Sequence, residues 1–260
     1  MTGVCGRYAS SRSPDDLTEY FEVEQVATGE RVLPPDYNVA PTKDVYAVLT
    51  RAPSGETTAH RSLRVVRWGL VPSWATDPAI GTRMINARLE TAAEKPAYRR
   101  AFARRRCLVP ADGYYEWYTP HGDGHGSASG GRKPRKQPFY IHRPDGDPLA
   151  LAGLYEFWRP PDSDPDDPTA WLTSMTLLTT AAPDETGRIH DRSPLMIDRD
   201  HWAAWLDPAI TDPAQVREVL APAAPGPLEA YPVRTLVNSV RNNGPELVDP
   251  APPDDVLVLS

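Results

Sequence analysis

Cysteine is scarce: Cys5 and Cys107 are the only two in 260 residues. A hundred positions apart and without CxxC spacing, they make neither a disulfide framework nor a zinc site, and a reducing compartment suits them. Long hydrophobic runs are missing as well. No stretch of about eighteen apolar residues occurs, and no basic segment followed by an apolar one opens the chain, so neither a membrane span nor a secretory signal is expected. The six histidines, at 60, 121, 125, 142, 190 and 201, lack metal-ligand spacing, so no metal or other cofactor is expected. The expected location is the cytoplasm. An excess of positive charge is also lacking, since the net charge is −7. Taken alone, that sum argues against nucleic acid as a partner.

The distribution of charge is more informative. Basic residues gather in YRRAFARRRC (98–107) and GRKPRK (131–136), while acid gathers in PDSDPDDP (161–168) and the proline-rich tail. An arginine run reads either as a solvated helix face or as a phosphate-binding patch.

Ser13-Pro14-Asp15-Asp16, followed by Leu17, Tyr20 and Phe21, predicts a helix over 14–22. Further helices are expected over 90–104, 199–206 and 213–220. Between them lie short β-branched and aromatic runs: VYAVLT, SLRVVRWGL, CLVPADGYYEWY, PFYIHR, LALAGLYEFW and TSMTLLTT. Strands mixed with isolated helices, without βαβ alternation, predict an α+β fold around a largely antiparallel, barrel-like sheet. A Gly/Ser-rich stretch at 121–136 and a Pro/Asp-rich one at 159–168 read as mobile loops decorating one domain.

Four residues have chemical potential. Cys5, beside Arg7, is either a thiol of lowered pKa suited to nucleophilic attack or a small buried hydrophobe; Cys107, inside CLVPA, reads as a core thiol. Asn86 in MINARLET either satisfies backbone groups or, with Arg88, grips a phosphate or orients an amine. Glu116 in DGYYEWY is either an outward strand residue or a desolvated carboxylate whose raised pKa suits acid–base work. His190 in GRIHDRSP lies in a loop, where functional residues concentrate. Trp68 and Trp74, near Arg7, Arg88 and Arg106, form either a tryptophan-rich core or a platform that stacks unpaired bases.

In this order, CGRYAS, YNVAPTK, RWGLVPSWA, INARLET, RRCLVPADGYYEW, QPFYIH, LAGLYEFW, TTAAPDETGRIHDRSPLMI and VNSVRNNGPELVDP resemble the SOS response-associated peptidase (SRAP) family, whose members act on abasic sites in single-stranded DNA. The resemblance spans nearly the whole chain. It implies one compact α+β domain with a barrel-like core and a basic groove for single-stranded DNA. A monomer, at the nucleoid when engaged on DNA, is the default expectation. In the family an N-terminal cysteine is joined to the ring-opened aldehyde of an abasic site. By the CGR match that role falls to Cys5; the NAR, GFYEW-like and IHDR motifs carry catalytic roles to Asn86, Glu116 and His190. Arg7, Asn38, Pro41, Trp68, Trp74, Arg88 and Arg106 are implied as DNA-facing positions.

An N-terminal cysteine supplies both an amine to condense with an aldehyde and a thiol to close a thiazolidine ring. Here Cys5 stands at position 5 rather than directly after the initiator. Two routes expose its amine: a start at Val4 read as methionine, or self-cleavage of Met1-Thr2-Gly3-Val4, the activity that the family name asserts. Ser193 also departs from the family pattern, which has methionine there. Three readings follow: a covalent abasic-site sensor, possessing lyase chemistry if the link reverses; a cysteine peptidase acting on itself or on other proteins; and a non-catalytic single-strand binder.

Overall fold

A computed structural model describes residues 6–29, 31–52, 55, 57–119, 136–164, 166–220 and 226–256. Cys5 lies outside them, as does the expected loop at 121–136 apart from Lys136.

Among the described residues are thirteen strands: β1 (Tyr8–Ser10), β2 (Gln25–Val26), β3 (Asp36–Val39), β4 (Asp44–Arg51), β5 (His60–Trp68), β6 (Asn86–Arg88), β7 (Arg106–Ala111), β8 (Gly113–Tyr118), β9 (Gln137–His142), β10 (Leu149–Trp158), β11 (Leu172–Ala181), β12 (Arg192–Pro194) and β13 (Glu229–Pro232). Each apolar run singled out in the sequence is a strand, and CLVPADGYYEWY contributes two. One sheet has the order β13-β9-β8-β1-β3; the larger runs β12-β11-β10-β7-β4-β5-β2. An additional parallel pairing of β11 with β5 closes β4, β5, β11, β10 and β7 into a ring. The fold is therefore α+β with a barrel-like, mostly antiparallel core, as the sequence predicts.

Alternation explains the two faces of the ring. Val45, Ala47 and Leu49 of β4, Val66 and Trp68 of β5, Cys107 and Val109 of β7, Leu151 and Tyr155 of β10, and Met175 and Leu177 of β11 share one buried cluster. Residues between them, including Tyr46, Val48, Leu108 and Leu178, face a second cluster under the helices. Cys107 is fully buried, and desolvation pushes its thiol pKa far up, which makes it a core thiol.

Helices α1 (Pro14–Tyr20), α2 (Leu89–Ala92), α3 (Arg99–Arg104), α5 (Trp202–Leu206) and α6 (Pro213–Leu220) cover that second face, while α4 (Asp184–Gly187) follows β11. Helix α1 starts at a capping box between Ser13 and Asp16 with Pro14 in its first turn, and Phe21 stacks on Trp202 at 4.7 Å. The helix expected over 90–104 is divided: α2 ends at Ala92 and α3 starts at Arg99, because Pro96 disfavours helical backbone at Lys95. The segment over 199–206 opens as a 3-10 turn, Arg199–His201, before α5.

One glycine pair positions the segment before β6. Gly69 has φ +122°, and a Cβ there would stand 2.6 Å from the Gly81 carbonyl oxygen. That close approach, open only to glycine, packs the 3-10 turn Pro78–Arg83 against the end of β5.

Candidate active site

The first strand runs beside the strand that carries a buried carboxylate. Tyr8 pairs with Tyr114 and Ala9 with Gly113, and the Tyr115 N–H donates to the Arg7 carbonyl at 3.0 Å. Continued by one residue, this antiparallel register sets Gly6, the residue bonded to Cys5, opposite Glu116. Glu116 is 2% exposed. Strand alternation places it on the same side of β8 as Tyr114, which joins the barrel cluster, whereas Tyr115 packs on the other side with Tyr140, Val233 and Val237. The outward-facing reading of Glu116 is thereby removed.

Asn86 reaches the same region through backbone pairing. Strand β6 runs parallel to β11, with Asn86 beside Leu177, and takes up that edge where β5 leaves it. The preceding carbonyl, of Ile85, accepts from the Trp68 indole at 2.9 Å, and the Trp68 ring lies 5.2 Å from that of Tyr8. Tyr8, Trp68 and Ile85 thus form a continuous link between β1 and β6. Ile189, next to His190, packs on the same cluster. Asn86 and His190 therefore each adjoin an isoleucine packed on one apolar body, Ile85 and Ile189.

His190 follows α4 in a short loop. Its Nδ1 lies 3.1 Å from the Arg192 N–H and 3.0 Å from Asp191 Oδ1. These contacts need opposite states of one nitrogen: bare, it accepts from Arg192; protonated, it donates to Asp191. The loop is tied down by Arg192, which bonds Glu90 at 2.6 and 3.0 Å and the Thr179 carbonyl at 2.6 Å. Arg192 thereby joins the IHDR and NAR segments, and its hydrogen bonds hold the Glu90 carboxyl below the usual carboxylate range. Neither Arg192 nor Glu90 was singled out from the sequence, although both lie inside the quoted blocks.

Arg7 is half-buried. It donates to Asn38 Oδ1 at 2.6 Å and the Val237 carbonyl at 2.8 Å, and its guanidinium carbon sits 5.6 Å from the Trp117 ring centre. Desolvation lowers its pKa, and the charges of Tyr115 and Asp36 act the other way. Asn38, fully buried, gives its amide to the carbonyls of Val237, Ser239 and Asn242 at 3.3, 2.9 and 2.9 Å. Trp117 completes the clamp by donating to Asn238 Oδ1 at 2.6 Å.

Three positions expected to face DNA are interior. Trp68 is fully buried, so it carries Tyr8 and Ile85 and leaves no ring face for a base. Asn38 is spent on the clamp. Arg106, 4% exposed, bonds the carbonyls of Trp205, Phe102, Ala103 and Asp207 at 2.6 to 3.0 Å. It therefore caps the ends of α3 and α5, and burial lowers its pKa to about 10. Trp74, in contrast, is 60% exposed beside a pocket lined by Asp77, Ile80 and Arg83. Arg88 is exposed and Pro41 half-buried at a turn. Among the described residues no group of three His, Cys, Asp or Glu side chains could hold a metal, and no helix is long and apolar enough to cross a membrane.

A ring-like mixed sheet of this form also occurs in a solved structure from Bacteroides thetaiotaomicron, which superposes with a TM-score of 0.75 at 24% identity over 95% of this chain and 100% of that one. The family described as SOS response associated peptidase (SRAP) matches residues 4–240, and the chain belongs to that family. Curated relatives include the abasic site processing protein YoqW of Bacillus subtilis, 36% identical over 95% of this chain and 99% of its own. The abasic site processing protein YedK of Escherichia coli is 31% identical over 95% of this chain and 100% of its own. HMCES of Xenopus tropicalis, of the same description, is 28% identical over 94% of this chain and 77% of its own.

Proposed function

We propose that this protein processes abasic sites in single-stranded DNA, and that it does so by forming a covalent thiazolidine link through Cys5. The relatives' descriptions as abasic site processing proteins support the first part. Support for the second comes from one observation: the register of β1 on β8 sets Gly6, the residue that follows Cys5 in the sequence, opposite the buried Glu116.

The chemistry assigns work to each residue. A free α-amine has a reference pKa of about 7.7–8.0 and is partly neutral near pH 7, so it can attack the aldehyde carbon. The carbinolamine oxygen leaves as water after taking a proton, for which Glu116 is the acid. The thiol sulfur then adds to the imine carbon, its proton passes to nitrogen, and the ring closes. Overall, aldehyde plus cysteine gives thiazolidine plus one water. Asn86 holds the amine, and His190, whose Nδ1 has partners for both proton states, protonates the sugar oxygen during ring opening. Trp74 and Arg88 serve the strand, one by stacking on an unpaired base and the other at a phosphate.

The test is the intact mass of a chain beginning at Cys5, and of the full chain, after incubation with a single-stranded oligonucleotide bearing one abasic site. The Cys5 chain gains the oligonucleotide less one water, and Cys5→Ala gains nothing while still binding. Binding without any mass gain would leave a non-covalent single-strand binder. Removal of Met1–Val4 from the full chain, abolished by Cys5→Ala, would establish the peptidase activity.

A further inference from the structure

The ring ends, on one rim, in a cluster of like charge. Arg51 closes β4 two positions beyond buried Leu49; Arg64 alternates with buried Ser62 and Val66 in β5; Arg105 precedes buried Cys107 by two. All three are half-buried. They surround an aromatic pair on β10, Tyr155 and Phe157, whose rings meet edge-on at 5.6 Å. The guanidinium carbons of Arg51 and Arg105 lie 4.7 and 5.8 Å from the Phe157 ring centre. Arg51, Arg105 and Arg64 all lower the Tyr155 hydroxyl pKa against the dominant effect of its burial.

Compensation on this rim is incomplete. Arg105 pairs with Glu156 at 2.5 Å, and the same carboxylate oxygen accepts the Phe157 N–H at 2.9 Å. Among the described residues, neither Arg51 nor Arg64 lies within ion-pair distance of a carboxylate; Arg64 Nε donates to Ser62 Oγ at 3.3 Å. Burial first, and then the neighbouring charge of Arg51, lower the Arg64 pKa. Three guanidinium groups converging in a partly desolvated mouth repel one another, and an entering anion removes that cost. Their planar forks match phosphate oxygens, and an aromatic face beside them takes a planar or cationic neighbour of the phosphate.

We propose that this rim is a phosphate-binding site, separate from the Glu116 site, formed by Arg51, Arg64 and Arg105 around Phe157. Strand β4 runs from the Trp68 end of the barrel, where Tyr8 packs, to Arg51, a span of ~23 Å at strand rise. One phosphate group, either of a free phosphorylated ligand or of a nucleic-acid backbone, is the ligand. The proposal is independent of the crosslinking chemistry and stands or falls separately.

The experiment follows arginine Nε–H signals of the full chain by NMR while inorganic phosphate replaces chloride at constant ionic strength. Saturable shifts of Arg51, Arg64 and Arg105 are expected, with affinity reduced about tenfold or more in Arg51→Gln and Arg64→Gln. Arg51→Gln, at a strand end, keeps the test open if the Arg64 variant does not fold. Shifts that never saturate, or that persist unchanged in Arg51→Gln, overturn the proposal. A single-stranded oligonucleotide without any abasic site then separates the sources. Movement of the same signals assigns the site to backbone phosphate; silence, with the phosphate response retained, assigns it to a free ligand.

Discussion

The Arg7 guanidinium donates to the Asn38 side-chain oxygen at 2.6 Å, and both side chains bond the Val237 carbonyl. The proposed nucleophile is two residues before Arg7 in the sequence, and this clamp fixes Arg7. Asn38→Ala leaves a half-buried cation and three carbonyls short of partners; a loss of about 2–4 kcal/mol in stability is expected by denaturant unfolding. The crosslinking rate should also fall further than single-strand affinity, since β1 loses its anchor while Trp74 and Arg88 are untouched. An equal fall in both would make Asn38 merely structural.

Glu116→Gln keeps the shape of a buried side chain and removes its proton chemistry. Crosslinking at pH 7 is expected to slow by about 10²-fold, the usual scale of one positioned acid or base, with non-covalent affinity for the same oligonucleotide unchanged. Quench-flow or gel-based rates against pH provide the check, because the variant should lose one limb of the wild-type profile. A variant as fast as wild type would remove Glu116 from the chemistry.

Much of the fold was legible because its strands are continuously apolar and bounded by glycine, proline or acid; LALAGLYEFW and TSMTLLTT emerge as β10 and β11. The candidate catalytic set rests on motif resemblance, since the alternation of GYYEWY leaves the side on which Glu116 lies open. The burial of three expected DNA-facing positions was not legible. Arg106 and Asn38 are polar residues in functional-looking blocks, and much of what engages them lies far along the chain: Arg106 binds carbonyls at 205 and 207, Asn38 those at 237 to 242; Trp68 is enclosed from nearer by, through Ile85 and Tyr8. No local pattern encodes contacts separated by a hundred or more residues. Glu90 and Arg192 were missed for the same reason, being 102 positions apart.

The Glu90–Arg192 pair yields a pH prediction. Arg192 lowers the folded-state pKa of Glu90 below its unfolded value of 4.5, so the pair's contribution is present above that value and lost as pH falls through the folded pKa. Glu90 is 49% exposed, which limits the effect to roughly 0.2–1 kcal/mol. Glu90→Gln should therefore be slightly less stable than wild type at pH 7, with the two unfolding curves converging toward pH 3. A gap that persisted or widened in acid would show that the ion pair is not its source.

Trp74 and Arg88 are exposed, so substituting either tests binding with little disturbance of the core. Trp74→Ala should leave stability within about 0.5 kcal/mol while costing ~1–3 kcal/mol of single-strand affinity, the scale of one base stacked on an aromatic ring. Arg88→Gln should act differently, weakening binding across all sequences and flattening log affinity against log salt by about 0.7, as expected for one lost phosphate contact on a single strand. Fluorescence anisotropy with an oligonucleotide lacking an abasic site, repeated at several salt concentrations, separates the two. A stacking residue changes the intercept and leaves the slope alone, whereas a phosphate contact changes both. If Arg88→Gln kept the wild-type slope, the NAR arginine would contact no phosphate, and its place beside Asn86 would have to serve the covalent chemistry instead.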